Sequence, residues 1–191
     1  MTLSHLGLAG HQETLDHGKR LFAQIMNGKN DLDPNIKSVV YSLAALQGDE
    51  SIFNYFIKQY EKESLPEEKR RLLKAIGMFH DHKLIEKALV FAQSDKVRLQ
   101  DSHMIPIIIC LNPGTSSLIW NWTKSQWKNL MKKYSSGTHM MGTFVHNLSL
   151  NYDATLQKEI AQFFHQKENQ RDDIKMAVKQ VLERIEINRR F

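Results

Sequence analysis

Histidine is the residue type with the clearest chemical potential in this chain, which contains nine of them. The segment HQETLDH at 11–17 has the letters of a zinc-binding helix. Such a helix needs two histidines four residues apart, with a glutamate directly after the first. His11 and His17 are instead separated by six positions, which is about 240° around a helix at roughly 100° per residue. They therefore cannot bind one metal ion from one helix face.

The remaining histidines offer weaker metal patterns. His80 and His82 flank Asp81 in FHDHK (79–83), which is either an adventitious metal site or a solvated turn, and the turn is favoured. Three further histidines have no second ligand at ligand spacing: His139, His146 and His165. The chain also lacks a G-x-S-x-G elbow, a Walker loop and a dinucleotide glycine fingerprint. We therefore predict no catalytic, cofactor-binding or metal-binding residue, while a site assembled from distant helices stays open.

Cysteine content and apolar runs restrict the class of protein further. Cys110 is the single cysteine, and its apolar surroundings IPIIICL (105–111) favour a buried inert thiol over a nucleophile. This run is too short to span a bilayer, which needs about 20 apolar residues. The start MTLSHLGLAGHQ has no signal-peptide pattern. We predict a cytoplasmic protein without a membrane contact in this segment.

The net charge of +5 and the pI near 9.2 raise the question of a nucleic-acid partner. The basic residues, however, are interspersed with acidic ones, as in EKESLPEEKRR at 61–71. Neither an aromatic RNA-binding motif nor a zinc-finger spacing occurs. We therefore predict that the chain does not bind nucleic acid.

Helical periodicity recurs along nearly the whole chain, with apolar residues at i, i+3, i+4 and i+7. Only four prolines and nine glycines occur, and no segment shows the alternation of a strand. The pattern predicts roughly ten or eleven helices of about 10–20 residues joined by short turns. Short connections make successive helices antiparallel neighbours. We predict an all-α, right-handed α-solenoid-like superhelix of antiparallel helix pairs over 1–191, of the HEAT or armadillo kind, with a compact irregular bundle as the alternative.

Several helix boundaries follow from local signals. The S-x-x-E pattern of Ser64 and Glu67 predicts a capping box, and Pro34 is suited to a first helical turn. Aspartates are favoured N-cap residues. The predicted aspartate caps or starts are Asp33, Asp49, Asp101 and Asp153. The predicted breaks are NGKND (27–31), Gly48, Asn112-Pro113-Gly114 and Gly137.

All three tryptophans lie in LIWNWTKSQW (118–127). If 114–134 forms one helix, its apolar residues cover more than half of the circumference. The core of this arc is Trp120, Trp127, Leu130, Met131 and Tyr134. The opposite arc is polar: Ser117, Asn121, Lys124, Ser125, Lys128 and Lys132. A stacking platform would instead place aromatic residues on a polar, basic face. We therefore predict that the tryptophans are packed in the core.

An ordered series of segments resembles the C-terminal helical domain of zinc aminopeptidases of the aminopeptidase N class. Within that class, the puromycin-sensitive and endoplasmic-reticulum enzymes are the nearest kin by this resemblance. The segments are VVYSLAALQGDESIFNYFIKQYEKESLPEEKRRLLKAIG (39–77), KVRLQDS (96–102), NPGTSSLIWNWTKSQWKNLMKKY (112–134), EIAQFFHQK (159–167) and VLERIEINRR (181–190). None is diagnostic alone, but their order and spacing cover nearly the whole chain.

The resemblance implies a superhelical array of short helices that caps a catalytic domain, encloses a cavity and helps position the peptide. In this family the zinc ion, its HExxH helix and the G-x-M-x-N substrate loop belong to an upstream domain. Zinc is thus a cofactor of the parent enzyme and not of this chain. GMFHDH (77–82) is not equated with the substrate loop, because it lies within the helical domain. No catalytic residue is carried over.

The chain departs from the family at both ends. It stops at Arg189-Arg190-Phe191, where the family continues into an aromatic tail, and the family has additional helices before Met1. LSHLGLAG (3–10) resembles the end of another apolar element. We therefore expect a fragment of a longer polypeptide, which weakens the cytoplasmic prediction.

The expected function is that of a non-catalytic C-terminal domain of a zinc aminopeptidase. Its partners would be the catalytic domain of the same polypeptide and the peptide substrate. Lys124, Lys128 and Lys132 are candidates for attracting the carboxylate of the peptide, although a solvated face is favoured. The alternative is a stand-alone α-solenoid adaptor that binds a protein or peptide without enzymatic activity. A metal hydrolase built from scattered histidines is the weakest hypothesis.

Overall fold

The computed structural model of the chain describes residues 3–29, 32–134, 139–148 and 156–188. Within these ranges the structure is all-α, with eleven α-helices and no β-strand. The helices are α1 (Leu3–Leu8), α2 (Gln12–Met26), α3 (Pro34–Leu46), α4 (Glu50–Lys62), α5 (Pro66–Ile76), α6 (His82–Gln93), α7 (Met104–Leu111), α8 (Ser116–Lys133), α9 (Met140–Asn147), α10 (Gln157–His165) and α11 (Lys175–Asn188). The all-α prediction is confirmed. None of these described helices is long and apolar enough to cross a bilayer.

Two helix starts are fixed by aspartate side chains. The Asp49 carboxylate accepts hydrogen bonds from the backbone N–H groups of Ser51 (3.0 Å) and Ile52 (3.1 Å) at the start of α4. Asp81 does the same for Lys83 (2.9 Å) and Leu84 (3.1 Å) at the start of α6. These bonds satisfy backbone donors that have no partner inside a helix. The predicted Asp49 cap is confirmed.

The predicted capping box at Ser64 is wrong. Helix α5 has Pro66 as its first residue, so Leu65 occupies the N-cap position and supplies no side-chain hydrogen bond. Ser64 therefore lies one residue too early to cap the helix. Its own N–H and that of Leu65 donate to Glu63 Oε1, at 2.8 and 2.9 Å.

The predicted helix cap at Asp101 is also wrong. Asp101 ends a short 3₁₀ turn (Leu99–Asp101), and α7 begins only at Met104. The buried carboxylate instead binds the guanidinium groups of Arg70 and Arg98. The signals assigned to Gly137, Asp153 and Arg189-Arg190-Phe191 lie outside the described residues.

The chain divides into two compact units, Met1–Ile108 and Ile109–Phe191. In the first unit, α2 packs on α3, α3 on α5, and α4 on α5. An aromatic cluster occupies its core, in which the Phe56 ring centroid lies 5.2 Å from that of Phe22 and 5.4 Å from that of Tyr41. The expectation of one domain over 1–191 stays a prediction.

Leu43 on α3 marks a close approach of helices within the first unit. A Cβ atom added to Gly7 of α1 would lie 2.2 Å from Leu43 Cδ2. One added to Gly18 of α2 would lie 2.5 Å from Leu43 Cβ. Both glycines thus give this leucine the space it occupies, since such distances are far below van der Waals contact.

In the second unit, α11 packs on α9 and on α10. The tryptophan helix α8 contributes the indoles of Trp120 and Trp127 to the core, whereas Trp122 is half-buried. Cys110 is buried at the end of α7. Burial raises the pKa of the Cys110 thiol to about 12. The thiol is therefore protonated at neutral pH, as expected for an inert core cysteine.

Candidate functional surfaces

The two histidines of HQETLDH have separate environments. His11 precedes α2 and caps it, because its Nδ1 accepts the N–H of Thr14 at 3.3 Å. His17 is exposed within the helix. Both line a groove of about 280 Å³ beside Glu13 and the apolar residue Val39. In the described ranges, no three His, Cys, Asp or Glu side chains converge at metal-binding distance.

The FHDHK segment is the start of a helix and not only a turn. Asp81 caps α6, and His82 is its first residue. Burial lowers the pKa of His80 below its usual value of 6.5, so this imidazole is neutral at pH 7. His139, His146 and His165 lie in or beside α9 and α10 and are exposed or half-buried.

The tryptophan helix is a packing element, as predicted. Trp120 and Trp127 are 0% and 2% exposed. Their ring centroids lie 5.2 and 5.4 Å from that of Phe163 in edge-on contacts. Such geometry is favourable for aromatic pairs. No base or sugar could stack on these two faces without opening the core.

The polar arc of α8 carries the three candidate lysines. Lys124 is half-buried, contacts the Glu159 carboxylate and has its Nζ 5.6 Å from the Trp120 ring centroid. Lys128 and Lys132 are exposed. Lys124 therefore has a structural partner already, and the role of the three lysines in attracting a carboxylate stays a prediction.

A groove lies between α4 and α6, and we call it the α4–α6 groove. Its volume is about 670 Å³, within the range typical of ligand sites. Phe53, Ile57 and Phe91 give it an apolar floor, and Val90 beside them is 72% exposed. Val90 thus adds an exposed apolar side chain to the apolar floor of the groove.

Lysine side chains border the α4–α6 groove. Lys87 contacts Glu50, and Lys96 contacts Glu61 at 2.5 Å. Lys83 is exposed at the start of α6 and has no ion pair within the described part of the chain. The groove thus combines an apolar floor with a border of both charges, because Glu86 lines it beside these lysines.

Sequence reasoning did not find this groove. The helical spacing of apolar residues in α6 predicts a buried stripe of Leu84, Ile85, Ala88, Leu89 and Ala92, and all five are buried. Val90 and Phe91 were left out of that stripe. The sequence signal for the groove was Val90, an apolar residue on the otherwise polar side of the amphipathic helix α6.

Two buried carboxylates hold helices of the first unit together. Glu68 on α5 contacts Lys37 Nζ of α3 and Arg71 NH1, each at 2.8 Å. Burial opposes ionisation of Glu68, but hydrogen bonds from these two cations outweigh it and lower the pKa of this carboxyl. Asp101, whose side chain is 3% exposed, has two arginine partners of its own. These are structural clusters, since every charge has a partner inside the unit.

Comparison with protein families identifies the helical array. Residues 1–187 match the family of the ERAP1-like C-terminal domain. The match covers nearly the whole chain, and so the chain belongs to this family. The resemblance to the C-terminal helical domain of aminopeptidase N-class enzymes is thereby confirmed.

Curated relatives are aminopeptidases. Human glutamyl aminopeptidase is 28% identical over 190 residues, which are 97% of this chain and 20% of that protein. The bovine glutamyl aminopeptidase is 29% identical over 147 residues, or 74% of this chain and 15% of the relative. Rat aminopeptidase N is 25% identical over 159 residues, or 81% and 16%. The matched residues thus span between 15% and 20% of the length of these relatives, in their C-terminal part.

Proposed function

We propose that this chain is the non-catalytic C-terminal domain of a zinc aminopeptidase and that it helps position the peptide whose N-terminal residue an upstream domain removes. The family match over 1–187 carries this proposal, because the matched relatives are aminopeptidases and the match lies in their C-terminal part. Zinc would be held by the catalytic domain of the parent enzyme. The stand-alone adaptor is not favoured, since such a match gives it no support.

The α4–α6 groove is the surface that best suits contact with a peptide. Phe53 and Phe91 offer apolar contact to a side chain, and Lys83 offers an ammonium group to a carboxylate. A helical array spreads many such weak contacts along an extended ligand. The groove would therefore affect long peptides and leave substrates of one or two residues unaffected.

The test uses the native full-length polypeptide that carries this sequence, whose mass should be several times 22.2 kDa. Val90→Glu puts a charge into the groove without disturbing a buried residue. We expect the KM for a nonapeptide to rise about tenfold, equivalent to about 1.4 kcal/mol. The kcat/KM for an aminoacyl reporter substrate should stay unchanged.

Met176→Glu is the matched control, because Met176 is 67% exposed and lies on α11. It should leave both substrates unaffected. Equal nonapeptide KM values for the Val90→Glu enzyme and the wild type would remove the groove from the proposal. A native polypeptide of about 22.2 kDa would contradict the proposal as a whole.

A further inference from the structure

Helix α8 contains the tripeptide Asn121-Trp122-Thr123, which has the N-x-T pattern of an N-glycosylation acceptor. Asn121 is exposed, and its side chain makes no hydrogen bond with the described part of the chain. Trp122 is half-buried and Thr123 is fully buried. The asparagine is thus the member of the tripeptide that points to solvent. We propose that Asn121 is an N-glycosylation site of the native protein.

The chemistry uses one atom of this side chain. Asn121 Nδ2 gives up one proton to a basic group of the transferase and forms a bond to the anomeric carbon of the first sugar. The bond between that carbon and the diphosphate of a lipid-linked oligosaccharide breaks, and the lipid diphosphate leaves. An Nδ2 group that makes no internal hydrogen bond gives up no interaction within the fold when it is modified.

The surroundings of Asn121 leave room for a glycan. Its neighbours one turn away on the same face are Ser117 and Ser125, which are small and exposed. Lys124, also one turn away, is held against Glu159. Lys128, two turns along the helix, is exposed as well. A sugar attached here would extend over a polar surface and would displace no apolar contact.

The buried threonine determines when the reaction takes place. Thr123 Oγ1 donates a hydrogen bond to the backbone carbonyl of Ile119, 2.7 Å away. The transferase needs a serine or threonine at this position, and in the folded helix this hydroxyl is out of reach. Transfer to Asn121 must therefore precede the folding of α8, after which the helix presents the modified residue outward.

The same pattern at Asn147-Leu148-Ser149 does not support an equal proposal. Asn147 is half-buried, and its Nδ2 donates to the carbonyl of Thr143 at 2.7 Å. Ser149 lies outside the described residues. The inference is therefore limited to Asn121.

A glycan at Asn121 would also identify one face of the array. The strip of Ser117, Asn121 and Ser125 would have to face open solvent in the native protein. It could not pack against another domain or line a closed peptide cavity. This inference is independent of the proposed function. A glycan found at Asn121 would exclude the cytoplasmic location expected from the sequence, because N-linked glycans are added in the secretory pathway.

The direct test is made on the native full-length protein from its source. The protein is treated with an amidase that releases N-glycans, in water labelled with heavy oxygen, and its peptides are then analysed by mass spectrometry. We expect a labelled aspartate at position 121. An unmodified Asn121 throughout the native population would overturn the inference.

Variants of the full-length gene, expressed with its own targeting sequence in glycosylating cells, give a second test. Asn121→Gln should lower the mass by one glycan, and so should Thr123→Val. Asn129→Gln is the matched control, because Asn129 is exposed on the same helix and outside any N-x-S/T pattern. Its mass should equal that of the wild type. If Asn121→Gln also migrates with the wild type, Asn121 carries no glycan.

Discussion

Both compact units have aromatic clusters in their cores, and the first unit adds buried carboxylates that bind cations. In the first unit, Glu68 and Asp101 each bind two cations within the helical layers. In the second unit, Trp120 and Trp127 pack against a pair of phenylalanines. Both units have the same amphipathic periodicity in sequence. Amphipathic periodicity therefore predicts which helix faces are buried. It does not predict which interactions hold the buried faces together.

Charge also has a different role in the second unit. The Arg171 side chain contacts the C-terminal end of α8. Its guanidinium donates hydrogen bonds to the carbonyls of Met131 (3.1 Å) and Tyr134 (2.7 Å). Asp173 holds the same guanidinium in place. A cation at a helix C-terminus satisfies carbonyls that have no partner inside the helix. The cations of the first-unit clusters bind carboxylates, whereas Arg171 binds backbone carbonyls as well as the Asp173 carboxylate.

The largest effect is expected from Trp120→Ala. It would leave a cavity in the aromatic cluster of the second unit and lower the free energy of unfolding by about 3–5 kcal/mol. Urea unfolding followed by far-UV circular dichroism measures it. The control is Trp122→Ala, which removes a half-buried indole and should cost less than half as much. Equal losses would mean that the packing of Trp120 is not what stabilises this unit.

Arg171→Ala should have the next largest effect, about 2–3 kcal/mol, because it leaves two backbone carbonyls without a charged donor. Arg171→Lys should recover less than half, since an ammonium group lacks the planar fork that reaches both carbonyls. Lys175→Ala is the control, because that side chain is 66% exposed, and no change is expected. The same urea titration serves, and a fully restored Lys variant would show that charge alone is sufficient.

Glu68→Gln should cost about 1–2 kcal/mol at pH 7, because Lys37 and Arg71 lose their anionic partner. The lowered pKa of Glu68 means that this cluster stabilises the fold above the ordinary value of 4.5. The contribution is lost as the pH falls through the folded-state pKa. The stability difference between wild type and variant should therefore shrink below about pH 4.5. A difference independent of pH would indicate that packing is responsible and charge is not.

The smallest effects concern the helix starts of the first unit. Asp81→Ala should lower the free energy of unfolding by about 1 kcal/mol, because α6 loses its cap. Ser64→Ala should change nothing measurable, since Leu65 and not Ser64 occupies the N-cap position of α5. Thermal unfolding of both variants gives the comparison. A loss for Ser64→Ala equal to that for Asp81→Ala would restore the capping box.

Much of the fold could be predicted from local patterns. The helical spacing of apolar residues predicted the helices α2, α4, α8 and α11. The apolar arc of α8 predicted that Trp120 and Trp127 are packed in the core. These predictions succeeded because helix periodicity and burial are linked within one element. The error at Ser64 was local too, because Pro66 moved the helix start by one residue.

The interactions between helices could not be predicted in the same way. Arg70 and Asp101 are 31 residues apart in sequence, and Arg171 and Met131 are 40 apart. A stripe of apolar residues shows that a helix packs, and it carries no information about its partner. The α4–α6 groove has the same origin, since it exists only where two stripes from different helices leave a gap.

The close approach at Leu43 has a consequence for how this sequence can vary. One leucine fills the space above both Gly7 and Gly18. A larger residue at either glycine position therefore requires a compensating substitution at position 43. Gly18→Ala alone would push α2 away from α3, whereas the same change together with a smaller residue at position 43 would be tolerated. Among homologous sequences, positions 7, 18 and 43 should therefore covary in size, and a larger residue at either glycine position should be accompanied by a smaller one in place of Leu43.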